Sequence, residues 1–305
     1  MRDAVTILTY HRVLPDAEAA SYPAPTLAMP VSEFRAQVAE LSQRFEVTTL
    51  DAALTQLGRT PTQRPIVCLT FDDGYLDNYE NAAPILEAHG VRGTFFVTAG
   101  LIGTPRLLWY DRATLAFEAR AAGAGGRPTP RQSLFEWLET LKRQSVAARE
   151  DALERVGAPA REAPHSRRFA LMSTEQVREL HRRGHEIGSH SLEHPILPAL
   201  DDAALAAEVG ASRRLIAELL DVDVAGFCYP NGDCDARVIA AVEAAGYRYA
   251  CTTRSGRNLP TQPRFELVRR DVTPSRIAAA SAAGRVRAFR AEISGFRDAL
   301  LRRRS

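Results

Sequence analysis

The chain has 305 residues, of which 45% are hydrophobic and 25% are charged, and its formal net charge is +2. This length suits one large domain with attachments or two small ones. The near-neutral charge gives no electrostatic argument for nucleic acid as a partner. No apolar stretch approaches the roughly 20 residues that a membrane span needs, and the first residues show no signal-peptide pattern. We therefore expect a soluble protein of the cytoplasm.

The chain carries four cysteines, Cys68, Cys228, Cys234 and Cys251, and no two of them form a CxxC pair. Three of them lie in apolar runs that read as strands. This distribution favours buried, reduced thiols over a disulfide framework or a zinc knuckle.

Apolar segments that predict strands alternate with helical patterns along most of the chain. The predicted strands are Val5 to Tyr10, Ile66 to Leu69, Gly93 to Val97, Glu186 to Ser189, Val224 to Tyr229, Tyr249 to Thr253 and Phe265 to Val272. Strands that are joined by helices through right-handed crossovers form a parallel sheet or barrel.

Two regions depart from this alternation. Residues 103 to 170 contain a Gly/Pro-rich piece and apolar residues at helical spacing, which predicts a helical insertion. Residues 276 to 305 form an Arg-rich tail that is predicted to be helical. This tail could contact an anionic membrane surface, or it could pack against the rest of the protein. We therefore predict a domain over residues 1 to 275 followed by a basic tail.

A pair of carboxylates follows one of the buried strands. Asp72 and Asp73 come directly after Thr70-Phe71 and before Gly74. In α/β proteins the carboxyl ends of the strands are where ligands bind. Adjacent carboxylates are costly unless their roles are separated, and a metal ion does this when one aspartate binds it and the other remains a base. The alternative is an ordinary Asp-Asp-Gly turn.

Three histidines are candidates for the same edge. His190 and His194 are spaced i, i+4, so on a helical turn both rings would project from one face and share a metal. Together with one aspartate they supply three ligands and leave a position open for water, as in catalytic zinc sites. Alternatively, both rings are solvated. His11 follows the first predicted strand and is a candidate for catalysis.

These motifs resemble those of the polysaccharide deacetylase family, also called the NodB-homology domain. The resemblance rests on Thr70-Phe71-Asp72-Asp73-Gly74, on His190-Ser191-Leu192-Glu193-His194 and on Tyr229-Pro230-Asn231-Gly232, and it covers about residues 1 to 275. It implies an incomplete, distorted (β/α) barrel. Tyr10-His11 near the amino terminus is similar to the branch of poly-N-acetylglucosamine deacetylases.

The resemblance implies a role for each matching residue. Asp73, His190 and His194 would bind a divalent metal, usually zinc, and Asp72 would be the general base that deprotonates the attacking water. A backbone N–H near Asn231 would help to hold the oxyanion.

The sequence also departs from the family pattern. The third motif, with Tyr229 and Pro230 next to Asn231 as predicted substrate or oxyanion residues, lacks the arginine that often opens it. Arg269 or Arg270 is the candidate to supply that charge. The late Leu-x-His motif that usually provides the general acid is also missing, and in its place we predict His11.

The predicted function is metal-dependent removal of acetyl groups from N-acetylated sugars of a polysaccharide, an oligosaccharide or a lipid-linked precursor. In the cytoplasm, a precursor at the inner membrane face would be the more accessible substrate. Two alternatives remain: a non-catalytic carbohydrate-binding protein on the same fold, and a hydrolase of a non-sugar amide.

Overall fold

A computed structural model describes residues 4–59, 63–123, 131–160, 167–279 and 281–294. The strands are β1 (Val5–Tyr10), β2 (Arg12–Leu14), β3 (Ala28–Pro30), β4 (Glu46–Val47), β5 (Ile66–Phe71), β6 (Thr94–Val97), β7 (Glu186–Ser189), β8 (Gly226–Cys228), β9 (Tyr249–Cys251) and β10 (Arg270–Asp271). The α-helices are α1 (Asp16–Ser21), α2 (Val31–Arg44), α3 (Leu50–Gln56), α4 (Ala83–Ala88), α5 (Trp109–Gly123), α6 (Arg131–Lys142), α7 (Val146–Arg155), α8 (Thr174–Arg182), α9 (Asp202–Leu220), α10 (Ala236–Ala244) and α11 (Ala282–Ser294).

The main sheet is parallel and has the order β10-β1-β5-β6-β7-β8-β9, with β4 pairing on β5. The extended segment before β10 lies between the two ends of this order. Leu267 forms a bridge with Cys251 of β9, and Arg270 pairs with Leu8 of β1. The sheet is therefore a curled half-barrel surrounded by helices, and the predicted incomplete (β/α) barrel is confirmed.

The register of the sheet sets the level at which each strand ends. All residues of β1 and β5 are buried, and the two strands pair so that Tyr10 lies opposite Phe71. On the other side of β5, β6 and β7 pair up to Val97 opposite Ser189. The residues that follow these strands therefore emerge at the same carboxyl edge, the edge at which α/β proteins bind ligands.

The predicted insertion contains α5, α6 and α7, which share a small core of their own around Trp109, Leu141 and Leu153. Its first helix is attached to the barrel by a buried hydrogen bond, since the Tyr75 hydroxyl donates to both Asp111 carboxylate oxygens at 3.0 and 2.9 Å. The insertion is thus packed beside the motif that follows β5.

The described part of the tail, α11, packs against α2. Phe289 and Ile293 are buried in the main core, and Arg290 donates two hydrogen bonds to Glu40 of α2 at 2.6 and 2.8 Å. Residues 295 to 305 of the predicted tail lie outside the described residues, so membrane contact stays a prediction. Within the described ranges, no helix combines the length and the apolar character needed to cross a bilayer.

The close approach of neighbouring strands predicts that a glycine is required at position 188. Gly188 of β7 lies opposite Phe96, and an added Cβ would lie 2.5 Å from Phe96 Cδ1 and 3.0 Å from the carbonyl oxygen of Gly226. We expect Gly188→Ala to lower the free energy of unfolding by about 1–3 kcal/mol, because the core has no room for the methyl group. Urea unfolding measures the difference.

The control is Gly210→Ala in α9, where an added Cβ meets no atom within 4 Å. Alanine favours the helix over glycine by about 0.5–1 kcal/mol, so this variant should be as stable as the wild type or slightly more stable. Equal midpoints for the two variants would contradict the packing argument.

Candidate active site

Asp72 and Asp73 point to different partners because the backbone turns sharply between them and the next helix. Asp73 has φ 78°, in the left-handed region, and Gly74 follows with φ 87°. An aspartate tolerates this region better than most residues that have a Cβ. The turn directs the Asp72 side chain towards Arg269 and the Asp73 side chain towards two histidines.

His190 and His194 approach each other through a loop. The predicted helical turn is wrong, since Ser191 and His194 have φ 66° and 57° and no helix is assigned to the segment. The Ser191 hydroxyl accepts a hydrogen bond from the His194 N–H at 3.0 Å. The two imidazole rings lie 4.8 Å apart between centroids, so the loop achieves the closeness that a helix was expected to provide.

Contacts from two helices hold this loop. On one side, the Glu208 carboxylate of α9 accepts the backbone N–H groups of Leu192 and Glu193, both at 3.0 Å. On the other side, the Trp109 indole N–H of α5 donates to the carbonyl oxygen of His194 at 3.2 Å. These contacts fix the backbone on which the two imidazoles are carried.

Asp73, His190 and His194 form a compact, buried set of metal-ligand atoms. Both Nε2 atoms lie 3.5 Å from Asp73 Oδ1, and the three residues are at most 3% exposed. The Nδ1 atom of His190 is 2.7 Å from the Cys228 carbonyl oxygen, which only accepts, so Nδ1 carries a proton and donates it, while Nε2 faces Asp73. Burial and the neighbouring His190 lower the pKa of His194 well below its ordinary value, which keeps its ring neutral.

This set fits a divalent metal such as zinc. Neutral imidazole nitrogens and one carboxylate are the donors of catalytic zinc sites, which use three protein ligands and leave a position open.

A second group, Asp72, His190 and Cys228, also has ligand atoms close together. Burial raises the pKa of the Cys228 thiol well above its ordinary value, and the thiol lies 3.6 Å from Asp72 Oδ2 as a weak donor. Asp72 is already paired with Arg269. A protonated thiol and an occupied carboxylate are poor ligands, so we assign the metal set to Asp73 and the two histidines.

Asp72 and Arg269 form a buried, two-pronged ion pair. The guanidinium donates to the two carboxylate oxygens at 2.8 and 2.7 Å, and it also donates to the Thr252 carbonyl and the Thr70 hydroxyl. Burial acts to raise the pKa of Asp72, but the charge and hydrogen bonds of Arg269 outweigh it and hold that pKa well below the usual range. Asp72 is therefore ionised at neutral pH.

Arg270, the other candidate for the missing charge, faces away from the site. Its guanidinium donates to the Glu292 carbonyl of α11. Successive residues of a strand point to opposite faces, so the structure places Arg269 inside the barrel and Arg270 outside it.

A cavity of about 130 Å³ brings the candidate residues together. It is lined by His11, Leu27, Asp72, Asp73, Trp109, Tyr110, Leu138, Lys142, His190, His194, Tyr229, Asn231 and Thr253. His11 reaches it from the end of β1, the strand paired with the one that carries the aspartates. The cavity thus brings together the candidate base Asp72, the candidate metal ligands and the candidate acid His11.

The third motif contributes fewer donors than the sequence predicted. The Tyr229 hydroxyl donates to the Phe265 carbonyl and its N–H donates to the Cys251 carbonyl, so both of its donors are engaged. Pro230 has no N–H. The Asn231 side-chain nitrogen is buried and has no hydrogen-bond partner among the residues the structure describes. The predicted oxyanion donor is a backbone N–H near Asn231, and the structure adds the Asn231 side-chain amide as a candidate.

Backbone strain concentrates at this cavity. In the described ranges, five non-glycine residues have positive φ, and four of them belong to the motifs around the site: Asp73, Ser191, His194 and Asn231. Such residues cost about 1–3 kcal/mol each and tend to cluster at functional sites. The strain is an independent sign that this edge is built for ligands.

The sequence did not predict that helices of the insertion form part of the wall of this cavity. Leu138 and Lys142 of α6 and Tyr110 of α5 line the cavity, and the Tyr110 ring packs edge-on against His194 at 5.2 Å. The spacing of Leu138 and Lys142 places them on one helical face. That spacing was readable in the sequence, but nothing local showed that the face covers the site.

Comparison with known proteins agrees with the fold and the motifs. The chain matches the family model described as polysaccharide deacetylase over residues 59–250. It is 23% identical over 251 residues to YxkH of Bacillus subtilis (strain 168), a match that covers 82% of this chain and 67% of that protein.

Two solved structures share the fold. The Streptococcus pyogenes deacetylase PplD, solved in complex with acetate, has a TM-score of 0.62 and 18% identity, covering 90% of this chain and 95% of PplD. IcaB from Ammonifex degensii has a TM-score of 0.62 and 22% identity, covering 90% of this chain and 93% of IcaB.

The buried ion pair predicts a pH-dependent loss of stability in Arg269→Gln. In the wild type the lowered pKa of Asp72 contributes stability above its unfolded pKa of about 3.9, and this is lost as the pH falls. In the variant, burial acts on Asp72 without its partner and raises its pKa, so stability falls as the pH rises. In urea unfolding of the metal-free proteins, we expect the free energy of unfolding of the variant to be about 3–5 kcal/mol lower than that of the wild type at neutral pH. We expect this difference to shrink towards about pH 4.

Arg254→Gln is the matched control. Arg254 pairs with Glu266 at 2.6 Å at the surface, with its side chain 56% exposed. Exposed pairs contribute about 0–1 kcal/mol, so this variant should differ little from the wild type at either pH. An equal loss at both pH values in Arg269→Gln would show that the arginine does not act through the charge of Asp72.

Proposed function

The chain belongs to the polysaccharide deacetylase family, and we propose that it is a metal-dependent hydrolase that removes acetyl groups from N-acetylated sugars. One observation carries the proposal: Asp73 shares a cavity with His190 and His194, while the adjacent Asp72 is held apart by Arg269. This arrangement separates a metal ligand from a base, which is what amide hydrolysis by an activated water requires.

Asp73, His190 and His194 would hold the cation, and zinc is the metal that their donor set favours. When bound, the metal would polarise the acetamide carbonyl and acidify a water molecule. Each ligand is already oriented, because the His190 ring is fixed by Cys228 and the His194 backbone by Trp109. Such outer contacts commonly affect metal affinity by about 10–100-fold.

Asp72 is the proposed general base. Its pairing with Arg269 keeps it ionised and fixes its orientation, so the carboxylate is ready to accept a proton from water. Because the same pairing lowers the pKa of Asp72, the carboxylate is a weak base. Efficient proton transfer requires the pKa values of the donor and the acceptor to be matched. Asp72 is therefore suited to accept a proton from a water molecule whose own pKa would be lowered at this site.

His11 is the proposed general acid, and Asn231 the proposed oxyanion donor. An imidazole is well suited to protonate a leaving amine near neutral pH, and His11 lines the cavity together with Asp72. The unpartnered amide nitrogen of Asn231 is available to donate to the developing oxyanion.

We propose an N-acetylglucosamine polymer, oligosaccharide or lipid-linked precursor as the substrate. Tyr10-His11 and the fold shared with IcaB support the branch of poly-N-acetylglucosamine deacetylases, and the acetate held by PplD is the product expected of deacetylation. A sugar-binding protein without activity and a hydrolase of non-sugar amides remain the alternatives, and acetate release separates them.

We further propose that the protein acts in the cytoplasm. The four cysteines are all unpaired, which suits a reducing compartment. Fractionation of the source cells tests this proposal, and recovery of the protein outside the cytoplasm would overturn it.

The division of labour between the aspartates predicts different outcomes for their amide variants. Asp73→Asn should lose bound metal and activity together. Asp72→Asn should keep one metal per chain while acetate release falls by about 10²–10⁴-fold, because only the base is removed. Metal analysis and an acetate assay on N-acetylglucosamine oligomers, before and after chelation, measure both quantities.

Asp51→Asn, at a surface pair with Arg248, is the control and should match the wild type. Full acetate release after complete removal of metal would contradict the proposed mechanism. Metal binding without release from any acetylated sugar would favour one of the two alternatives.

His11→Gln tests the general acid. We expect kcat to fall by about 10²–10⁴-fold with metal content unchanged, because the leaving amine loses its proton donor. His89→Gln, at the carboxyl end of α4, is the control. An unchanged kcat in His11→Gln would assign the acid to another group.

A further inference from the structure

The helix α6 presents a face that extends beyond the cavity. Phe135, Leu138, Glu139 and Lys142 are spaced i, i+3, i+4 and i+7, so they lie on one side of the helix. Leu138 and Lys142 line the cavity that holds the catalytic candidates. Leu141, on another side, is buried in the core of the insertion. The face is thus continuous with the proposed reaction site.

Phe135 is the most conspicuous member of this face. Its side chain is 62% exposed, the largest value among the exposed large hydrophobic residues of the described chain. It lies about 4.5 Å from Leu138 along the helix axis. A single exposed ring is common at a protein surface, but this ring lies one turn from Leu138 on the helix face that reaches the cavity, where it is free to contact a bound ligand.

Charged groups flank the same face. The Lys142 ammonium donates to the Glu139 carboxylate at 2.7 Å. Asp233, which follows the third motif, is close enough that the charges of Lys142 and Glu139 act on its pKa in opposite directions, while burial raises it. An aromatic ring beside hydrogen-bonding charges is a combination that suits a sugar, which has an apolar C–H face and a rim of hydroxyls.

We propose that this face of α6 is a second sugar-binding subsite, where the Phe135 ring stacks on the sugar next to the one that is deacetylated. Lys142 and Glu139 would bind its hydroxyl groups. Two carboxylates against one ammonium disfavour an anionic sugar, so the occupant is a neutral or amino sugar. This inference rests on the proposed function to the extent that the substrate is an N-acetylated oligosaccharide.

The test is calorimetric binding of the N-acetylglucosamine monomer and of its β-1,4-linked and β-1,6-linked tetramers to the full chain. We expect the wild type to bind at least one tetramer more tightly than the monomer. Phe135→Ala should weaken that binding by about 2–12-fold, which corresponds to the stacking energy of one aromatic ring, without affecting the monomer. Phe135→Trp should retain the affinity because it retains the ring.

Val146→Ala is the matched control, because Val146 is an exposed apolar residue of the same insertion (41%) that does not line the cavity. It should bind the tetramer like the wild type. Thermal unfolding of all variants checks that the insertion is intact, which is expected since Phe135 is exposed.

Equal tetramer affinity in Phe135→Ala and the wild type would overturn the subsite, as would a wild type that binds neither tetramer better than the monomer. Loss of self-association instead of sugar affinity in Phe135→Ala would assign the face to a second copy of the chain, which also overturns it. Acetate release is scored separately. If tetramer binding depends on Phe135 but no acetate is released, the subsite is supported and the proposed hydrolase is contradicted. If acetate is released but Phe135→Ala binds the tetramer as tightly as the wild type, only the subsite is contradicted.

Discussion

The buried ion pair between Asp72 and Arg269 is the constraint on which the site depends. Two adjacent carboxylates enclosed at 2% exposure would repel each other strongly in a medium of low dielectric constant. The structure resolves the conflict by giving each its own partner, a guanidinium for Asp72 and two imidazoles for Asp73. The left-handed backbone of Asp73 makes this separation possible. Without the arginine, burial would favour the protonated form of Asp72, which is useless as a base.

This dependence explains why the barrel must be assembled before the site exists. Asp72 and Arg269 are 197 positions apart, and Arg269 reaches the barrel interior only because the segment around it lies between β9 and β1. The sheet register also brings His11 to this edge, because His11 follows Tyr10, which lies opposite Phe71. Side chains that are remote in sequence therefore meet at one edge through strand pairing.

Seven strands of the main sheet and the motif residues could be predicted because their signals are local: apolar runs and polar residues that follow them. The conformation of the His190–His194 loop could not, since φ values of non-glycine residues leave no mark in the sequence pattern. The choice between Arg269 and Arg270 depends on which face of the sheet each occupies, and that is fixed by pairing with β1. The occupation of both Tyr229 donors depends on Cys251 and Phe265, which only the folded sheet brings near.

The site is divided between two structural units with different duties. The barrel carries the proposed catalytic residues, while α5 and α6 of the insertion supply part of the wall of the cavity. A change at an exposed residue of α6 such as Phe135 therefore leaves the proposed reacting groups untouched, so the proposed sugar subsite and the proposed chemistry can be altered separately. The separation has one exception at Trp109, whose indole bonds to the backbone of His194. Because of that bond, a displacement of α5 would shift His194, a proposed metal ligand, so the insertion must keep its first helix fixed.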